Sequence, residues 1–116
     1  MEFKVTEILG WNTIRVTPNW SYLDIIGSEV SISGYDISVT GLPIIVAEEI
    51  CKNRLRDLFL GKNVKLAHPG VLLDSIKNDC TLRCSVFCEG TDISIYFPDF
   101  HKKGRIQKFL NRFKRN

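Results

Sequence analysis

Long apolar runs, glycine-rich phosphate loops and paired carboxylates are missing from this 116-residue chain, and neither of its two histidines has a nucleophile beside it. No stretch approaches the roughly 18 consecutive apolar residues of a membrane-spanning helix, so no membrane partner is expected. The start, Met1-Glu2-Phe3-Lys4, lacks the basic region followed by an apolar stretch that marks a secretion signal, and a cytoplasmic location is the expectation. His68 lies in His68-Pro69-Gly70 and His101 opens the last run of the chain, so turn and tail roles are expected of them rather than acid–base chemistry. No internal repeat, linker or low-complexity segment divides the sequence. A chain of this length holds one core, and a single domain over residues 1–116 is expected.

Acidic residues are also missing from one place. All 13 lie within residues 1–99, where nine Lys and Arg leave a net charge of −4. From His101 to Asn116 there is no acid, and Lys102, Lys103, Arg105, Lys108, Arg112, Lys114 and Arg115 carry a charge of +7. The overall +3 therefore combines a mildly acidic body with a strongly basic tail.

Four cysteines are present, and their spacing argues against a shared metal or mutual bridges. Cys80, Leu82, Cys84, Val86 and Cys88 alternate with Thr81, Arg83 and Ser85, the period of a strand with one apolar face. Cysteines four residues apart on a strand are ~13 Å apart. Sulfurs on one zinc ion must lie within ~4 Å of each other. Free thiols acting as small hydrophobes are the expectation, with a bridge from Cys51 to this strand as the disfavoured alternative. No metal or cofactor is expected.

The remaining pattern is mainly β with α. Phe3 and Val5 alternate with Lys4 and Thr6, Gly10-Trp11-Asn12 reads as a turn, and Thr13 to Thr17 alternates again, a hairpin with a register change at Ile8-Leu9. Pro18 to Tyr22 reads as a loop and Leu23 to Ser28 as a connection, before a third strand at Val30 and Ile32 that ends near Gly34. Pro43 to Leu60 has helical spacing through Ile44, Ala47, Ile50, Cys51, Leu55, Leu58 and Phe59, with Pro43 suited to the first helical position and Gly61 to the stop. A strand starts at Val64 and Leu66 and is broken by His68-Pro69-Gly70; Cys80 to Cys88 is a long strand; Thr91 to Phe97 alternates like another. Ile106, Phe109, Leu110 and Phe113 are spaced for an amphipathic C-terminal helix. Three strands, a helix and further strands fit an OB-fold-like five-stranded Greek-key barrel with the helix between strands three and four. Another α+β arrangement of the same elements is the alternative.

Several of these segments resemble the thermonuclease (staphylococcal nuclease-like) family. Leu9-Gly10-Trp11-Asn12-Thr13-Ile14 is similar to its D-G-D-T-[VI] turn, with Asn12 at the metal-binding aspartate. Ser31-Ile32-Ser33-Gly34-Tyr35-Asp36-Ile37-Ser38-Val39 is similar to R-L-x-G-I-D-x-P-E, keeping Gly34 and Asp36 but with Ser31 for the arginine and Val39 for the glutamate. Cys80 to Phe87 before Glu89-Gly90 follows G-R-x-L-A-x-[VI]-Y before a D-G turn, with Thr81 for the arginine and Arg83 two residues on. Gly61-Lys62-Asn63-Val64-Lys65-Leu66 is like G-K-x-V-x-[VL], and the likeness spans about residues 3–90. After Gly90 that family has a short helix, where this sequence alternates as a strand.

The resemblance implies an OB-type barrel. It also implies phosphodiester hydrolysis with calcium on hard oxygen ligands, a carboxylate that positions water, and arginines that neutralise transition-state charge. Losing one preorganised electrostatic donor costs about 10²–10³ in rate, and hard cations want several carboxylates. With only Asp36 kept, the first expectation is a non-catalytic module that binds nucleic acid through the basic tail, with outward Arg15 and Tyr35 and loop residue Trp20 contributing on the barrel face, Trp11 and Tyr22 beside them. A protein-interaction or scaffolding module, with an unidentified protein partner, is the alternative. A weak calcium-dependent nuclease comes third.

Overall fold

A computed structural model describes residues 1–74 and 80–101. Among these residues six strands and one helix follow in the order β1 (Phe3–Ile8), β2 (Thr13–Tyr22), β3 (Ile25–Ile32), α1 (Ile44–Phe59), β4 (Asn63–Asp74), β5 (Cys80–Cys88) and β6 (Thr91–Asp92), with short 3-10 turns at Ile37–Val39, Ile93–Tyr96 and Pro98–Phe100. Neighbouring strands run β3-β2-β1-β4-β5-β6, and β3 also pairs with β5. That last pairing is parallel, from Glu29 against Thr81 to Ile32 against Cys84, while the other ladders are antiparallel. The five strands β1-β2-β3-β5-β4 therefore close on themselves, with α1 between β3 and β4. This is the mainly β, OB-fold-like barrel that the order of elements predicts. The C-terminal helix expected around Ile106 to Phe113 lies outside the described residues.

Alternation decides the barrel interior. Phe3, Val5, Ile14, Val16, Val30, Ile32, Val64, Leu82, Cys84 and Val86 point inward, and α1 adds Ala47, Cys51, Leu55 and Phe59. The four helix positions are each four residues apart, a narrow stripe on one face. Ile44 and Leu58, expected on that stripe, are exposed instead, because burial begins one turn into the helix and the contact is narrow, with Ile50 half-buried beside it. Pro43 stands just before the helix rather than at its first position, and its carbonyl accepts from Ala47 N at 3.0 Å. At the other end Gly61 takes φ +82°, which a side chain rarely adopts. The reversed chain lands on β1, with Gly61 N on Val5 O at 2.8 Å and Val5 N on Lys62 O at 2.9 Å. These bonds fall where β1 shifts register against β2, between Val5 and Glu7 rather than at Ile8-Leu9. All four cysteines are free; burial pushes the thiols of Cys51 and Cys84 up to about 11.

Three local expectations are overturned. Pro18 to Tyr22 is not a loop: β2 runs through it, with a register shift between Arg15 and Trp20, and a two-residue turn at Leu23 and Asp24 leads directly into β3. His68-Pro69-Gly70 does not break β4, which continues to Asp74 with a register shift between Ala67 and Val71. Prolines and local sequence disorder are absorbed by bulges where both flanks are held by partner strands. Thr91 to Phe97 is not a strand. Only Thr91 and Asp92 pair with β5, and 3-10 turns follow at Ile93–Tyr96 and Pro98–Phe100. Asp92 starts the first turn by accepting from Ser94 N at 2.9 Å. The buried residues Ile93, Phe97 and Phe100 recur at helical spacing, and over so short a window Ile93, Ile95 and Phe97 fit both periods.

Trp20 holds the upper half of the β2–β3 hairpin. Its side chain is buried, Nε1 donates to Glu29 O at 2.9 Å, and its ring lies against Gly27, where an added Cβ would be 2.5 Å from Cζ2. Gly27→Ala is expected to destabilise the fold by about 1–3 kcal/mol through overpacking. Urea denaturation followed by tryptophan fluorescence measures it, and an unchanged midpoint would contradict the contact.

Candidate functional site

Asn12 and Ser31, two of the positions read as similar to thermonuclease motifs, meet in space. The β1–β2 turn is tightened by Leu9 N and Gly10 N, which both donate to Thr13 O, and it is stitched to β3 by Ile32 N donating to Asn12 O at 2.7 Å. This brings Asn12 beside Ser31. Both are buried, and Asn12 Nδ2 donates to Ser31 Oγ at 3.3 Å while Thr13 Oγ1 donates to Asn12 Oδ1 at 3.1 Å. In the parallel ladder Ser31 stands opposite Arg83, whose side chain is exposed. Asp36 is engaged as a cap: its Oδ1 accepts from Ser38 N at 2.9 Å and opens the 3-10 turn Ile37–Val39. Thr81 Oγ1 donates to Glu29 Oε2 at 3.1 Å. Asn12 and Ser31 form a neutral hydrogen-bonded pair, while the Asp36 carboxylate is committed to a backbone amide and the Glu29 carboxylate to Thr81. Among the described residues, no group of three His, Cys, Asp or Glu side chains is placed to hold a metal ion.

No protein-family model matches the chain, and neither curated proteins nor solved structures show a significant similarity to it. The resemblance rests on the residues above.

Of the barrel residues expected to meet a ligand, two are withdrawn from the surface. Trp20 is clamped under β3 by Gly27 and the Glu29 carbonyl, as described. Tyr35 is also buried rather than outward; its hydroxyl donates to Trp11 O at 2.9 Å, and its ring stacks on Phe97 with centroids 4.1 Å apart. Burial pushes that hydroxyl far above its ordinary value. Trp11 meets the edge of Tyr35 at 5.9 Å and is half-buried. An i-to-i+2 pattern tells which way a side chain leaves a strand, but Tyr35 lies past the end of β3, where no such pattern applies. Arg15 does face outward on β2, yet Nη1 lies 2.6 Å from Glu7 Oε1 and Nη2 lies 3.6 Å from Glu29 Oε1, so its charge is matched. Lys102, Lys103, Arg105, Lys108, Arg112, Lys114 and Arg115 lie outside the described residues.

Arg54 is the residue that sequence reasoning missed. It sits beside Cys51 and Leu55 on the buried side of α1, one turn from the stripe's centre, a position that could have flagged it. Its guanidinium makes a two-pronged contact with Asp99 (2.8 and 3.1 Å), donates to Tyr96 O at 3.1 Å, and lies over the rings of Phe97 and Phe100 at 5.1 and 5.6 Å. Asp36 N donates to Phe100 O at 2.9 Å, and the His101 ring nitrogen Nε2 reaches Ser94 O at 2.8 Å. The chain is thus fastened to helix and barrel up to the residue where the basic run begins. The hydrogen bond from Arg54 holds the Asp99 carboxyl below its ordinary value, and the same bond raises Arg54.

A carboxylate whose folded-state pKa is lowered stabilises the fold above its unfolded value of about 3.9 and stops doing so as pH falls through the folded value. Asp99 is half exposed, so solvent limits the pair to about 1 kcal/mol or less. Asp99→Asn is therefore expected to lower the thermal midpoint slightly at pH 7, with the gap to the parent closing as pH falls below the unfolded carboxyl's value of about 3.9. Calorimetry at several pH values measures this, and a gap independent of pH would remove the clamp's electrostatic component.

Proposed function

We propose that this chain is a non-catalytic, thermonuclease-like OB module that binds nucleic acid through the basic run from Lys102 to Arg115, with the barrel as scaffold. The observation that carries the reading is the charge partition, seven cations and no acid after Asp99 against a body of net −4. Each cation that neutralises a phosphate releases condensed counterions, which favours binding and makes it salt-dependent. With Trp20 and Tyr35 inside the barrel, base stacking by those rings plays no part, so the binding is directed at the phosphate backbone and discriminates little between sequences. The neutral Asn12–Ser31 pair supports the loss of hydrolysis, since it offers a hard cation no carboxylate.

A second reading, a protein-interaction module, is favoured by one feature. Leu42, Ile44, Ile45 and Val46 are all exposed around the first turn of α1, Ile45 at 81%. Contiguous apolar surface of this kind is typical of protein contacts. A partner complex that withstands high salt and is lost on Ile45→Asp would support this reading over the first.

For the first reading, fluorescence polarisation against duplex DNA across a salt series is expected to give a log–log slope of about −6 if all seven cations engage. Charge reversal at Lys102, Lys108 and Arg112 is expected to flatten that slope and to abolish retention on heparin. No binding at low salt, or binding indifferent to the reversals, would refute it. Calcium-dependent hydrolysis of DNA or RNA that disappears in Asp36→Ala would refute the non-catalytic part.

A further inference from the structure

Helix α1 starts before its core does. The buried stripe opens at Ala47, and the residues just ahead of it, Leu42, Ile44, Ile45 and Val46, are exposed. On a helix, positions three and four apart share a face, so the face that Ile45 occupies continues one turn on with Glu48 and Glu49. Among the described residues neither carboxylate is in an ion pair; those of the other carboxylates are with Arg15 and Arg54. The result is an apolar surface bordered by two uncompensated acids.

The end of the described chain is fixed close to this surface. The 3-10 turn Ile37–Val39, which leads into α1 through Thr40 to Pro43, packs against both α1 and the turn Pro98–Phe100. Asp36 N donates to Phe100 O, and Asp99 is held by Arg54. Ile45 lies nine residues before Arg54 on α1, about 14 Å along the helix. From Asp99 to Ile106 the chain has seven residues and can span up to about 24 Å, so Ile106 and the residues after it can reach Ile45.

Residues 102–116 lie outside the described residues, but their sequence complements that surface. Ile106, Phe109, Leu110 and Phe113 recur at i, i+3, i+4 and i+7, among seven cations and no acid. In that spacing Lys103 and Lys114 fall beside the apolar positions, while Lys108, Arg112 and Arg115 fall opposite them. We propose that Ile106, Phe109, Leu110 and Phe113 cover Leu42, Ile44 and Ile45 of the same chain, with Lys103 and Lys114 meeting Glu48 and Glu49. Attachment through the few residues after Asp99 gives the segment an effective concentration on the order of millimolar, which favours its own α1 over that of a second copy. The contact leaves Lys108, Arg112 and Arg115 turned outward, so it seats the basic run without neutralising it. The proposal does not rest on nucleic-acid binding. It takes the surface that the second reading above gives to another protein, and the test separates the two.

The test uses the full-length ¹⁵N-labelled chain and two sets of substitutions. Phe109→Asp with Phe113→Asp is expected to shift the amides of Leu42, Ile44, Ile45 and Val46, with the β1 and β5 amides unmoved as a check on the fold. Reciprocally, Ile45→Asp is expected to shift the amides from Ile106 to Phe113. Trypsin cleavage after Lys108 and Arg112, followed by mass spectrometry, is expected to run about tenfold or more faster in Ile45→Asp than in the parent, and at the parental rate in Ile45→Leu. Amides of Leu42 to Val46 that ignore the Phe109 and Phe113 changes, or equal cleavage in Ile45→Asp and the parent, would overturn the proposal and leave the surface to a separate protein. A dimer in sedimentation that Ile45→Asp dissociates would also overturn it, giving the surface to a second copy of the chain.

Discussion

The parallel pairing of β3 with β5 is the constraint on which the other features rest. It covers only Glu29 to Ile32 against Thr81 to Cys84, yet without it the strands form an open sheet with two unsatisfied edges. Closure turns the inward faces of all five strands toward one core and leaves an end for α1 to cover with Ala47, Cys51, Leu55 and Phe59.

Closure also determines what surrounds Asn12, Ser31 and Thr81. Bringing β3 against β5 and tying the β1–β2 turn to β3 through Asn12 O puts Asn12, Ser31 and Thr81 on adjoining strands. Carboxylates and arginines crowded there would carry large, opposed charges poised for a cation and a phosphate. The Asn12 amide and the Ser31 hydroxyl instead satisfy one another, and Thr81 donates to Glu29. The ion pairs among the described residues lie elsewhere, in the Glu7–Arg15–Glu29 group on the barrel exterior and in the Arg54–Asp99 clamp, beyond which the sequence turns basic.

Much of the architecture was legible in the residues. Cys80 to Cys88 is a strand with the bounds its alternation predicts, and the helix between Pro43 and Gly61 is off by one residue at each end. What escaped were segments whose local signals point away from their structure. Pro18 and His68-Pro69-Gly70 look like interruptions, but a strand flanked by partners tolerates a bulge where an isolated one would end. Ile93, Ile95 and Phe97 look like a strand because four or five residues cannot distinguish a period of two from one of three to four. The exposed first turn of α1 has the same composition as a buried one, so periodicity alone placed Ile44 on the wrong side.

The sequence by itself determined the class of barrel, the place of its helix, the free state in which the cysteines pack as small hydrophobes, and the separation of an acidic body from a basic tail. These follow from period, spacing and charge, which are properties of the chain read in order. Only the tertiary structure decided which aromatic rings a ligand can reach. Trp20 and Tyr35 are withdrawn because Gly27, across the hairpin, and Phe97, distant in the chain, offer flat apolar surface that a large ring covers more favourably than water does.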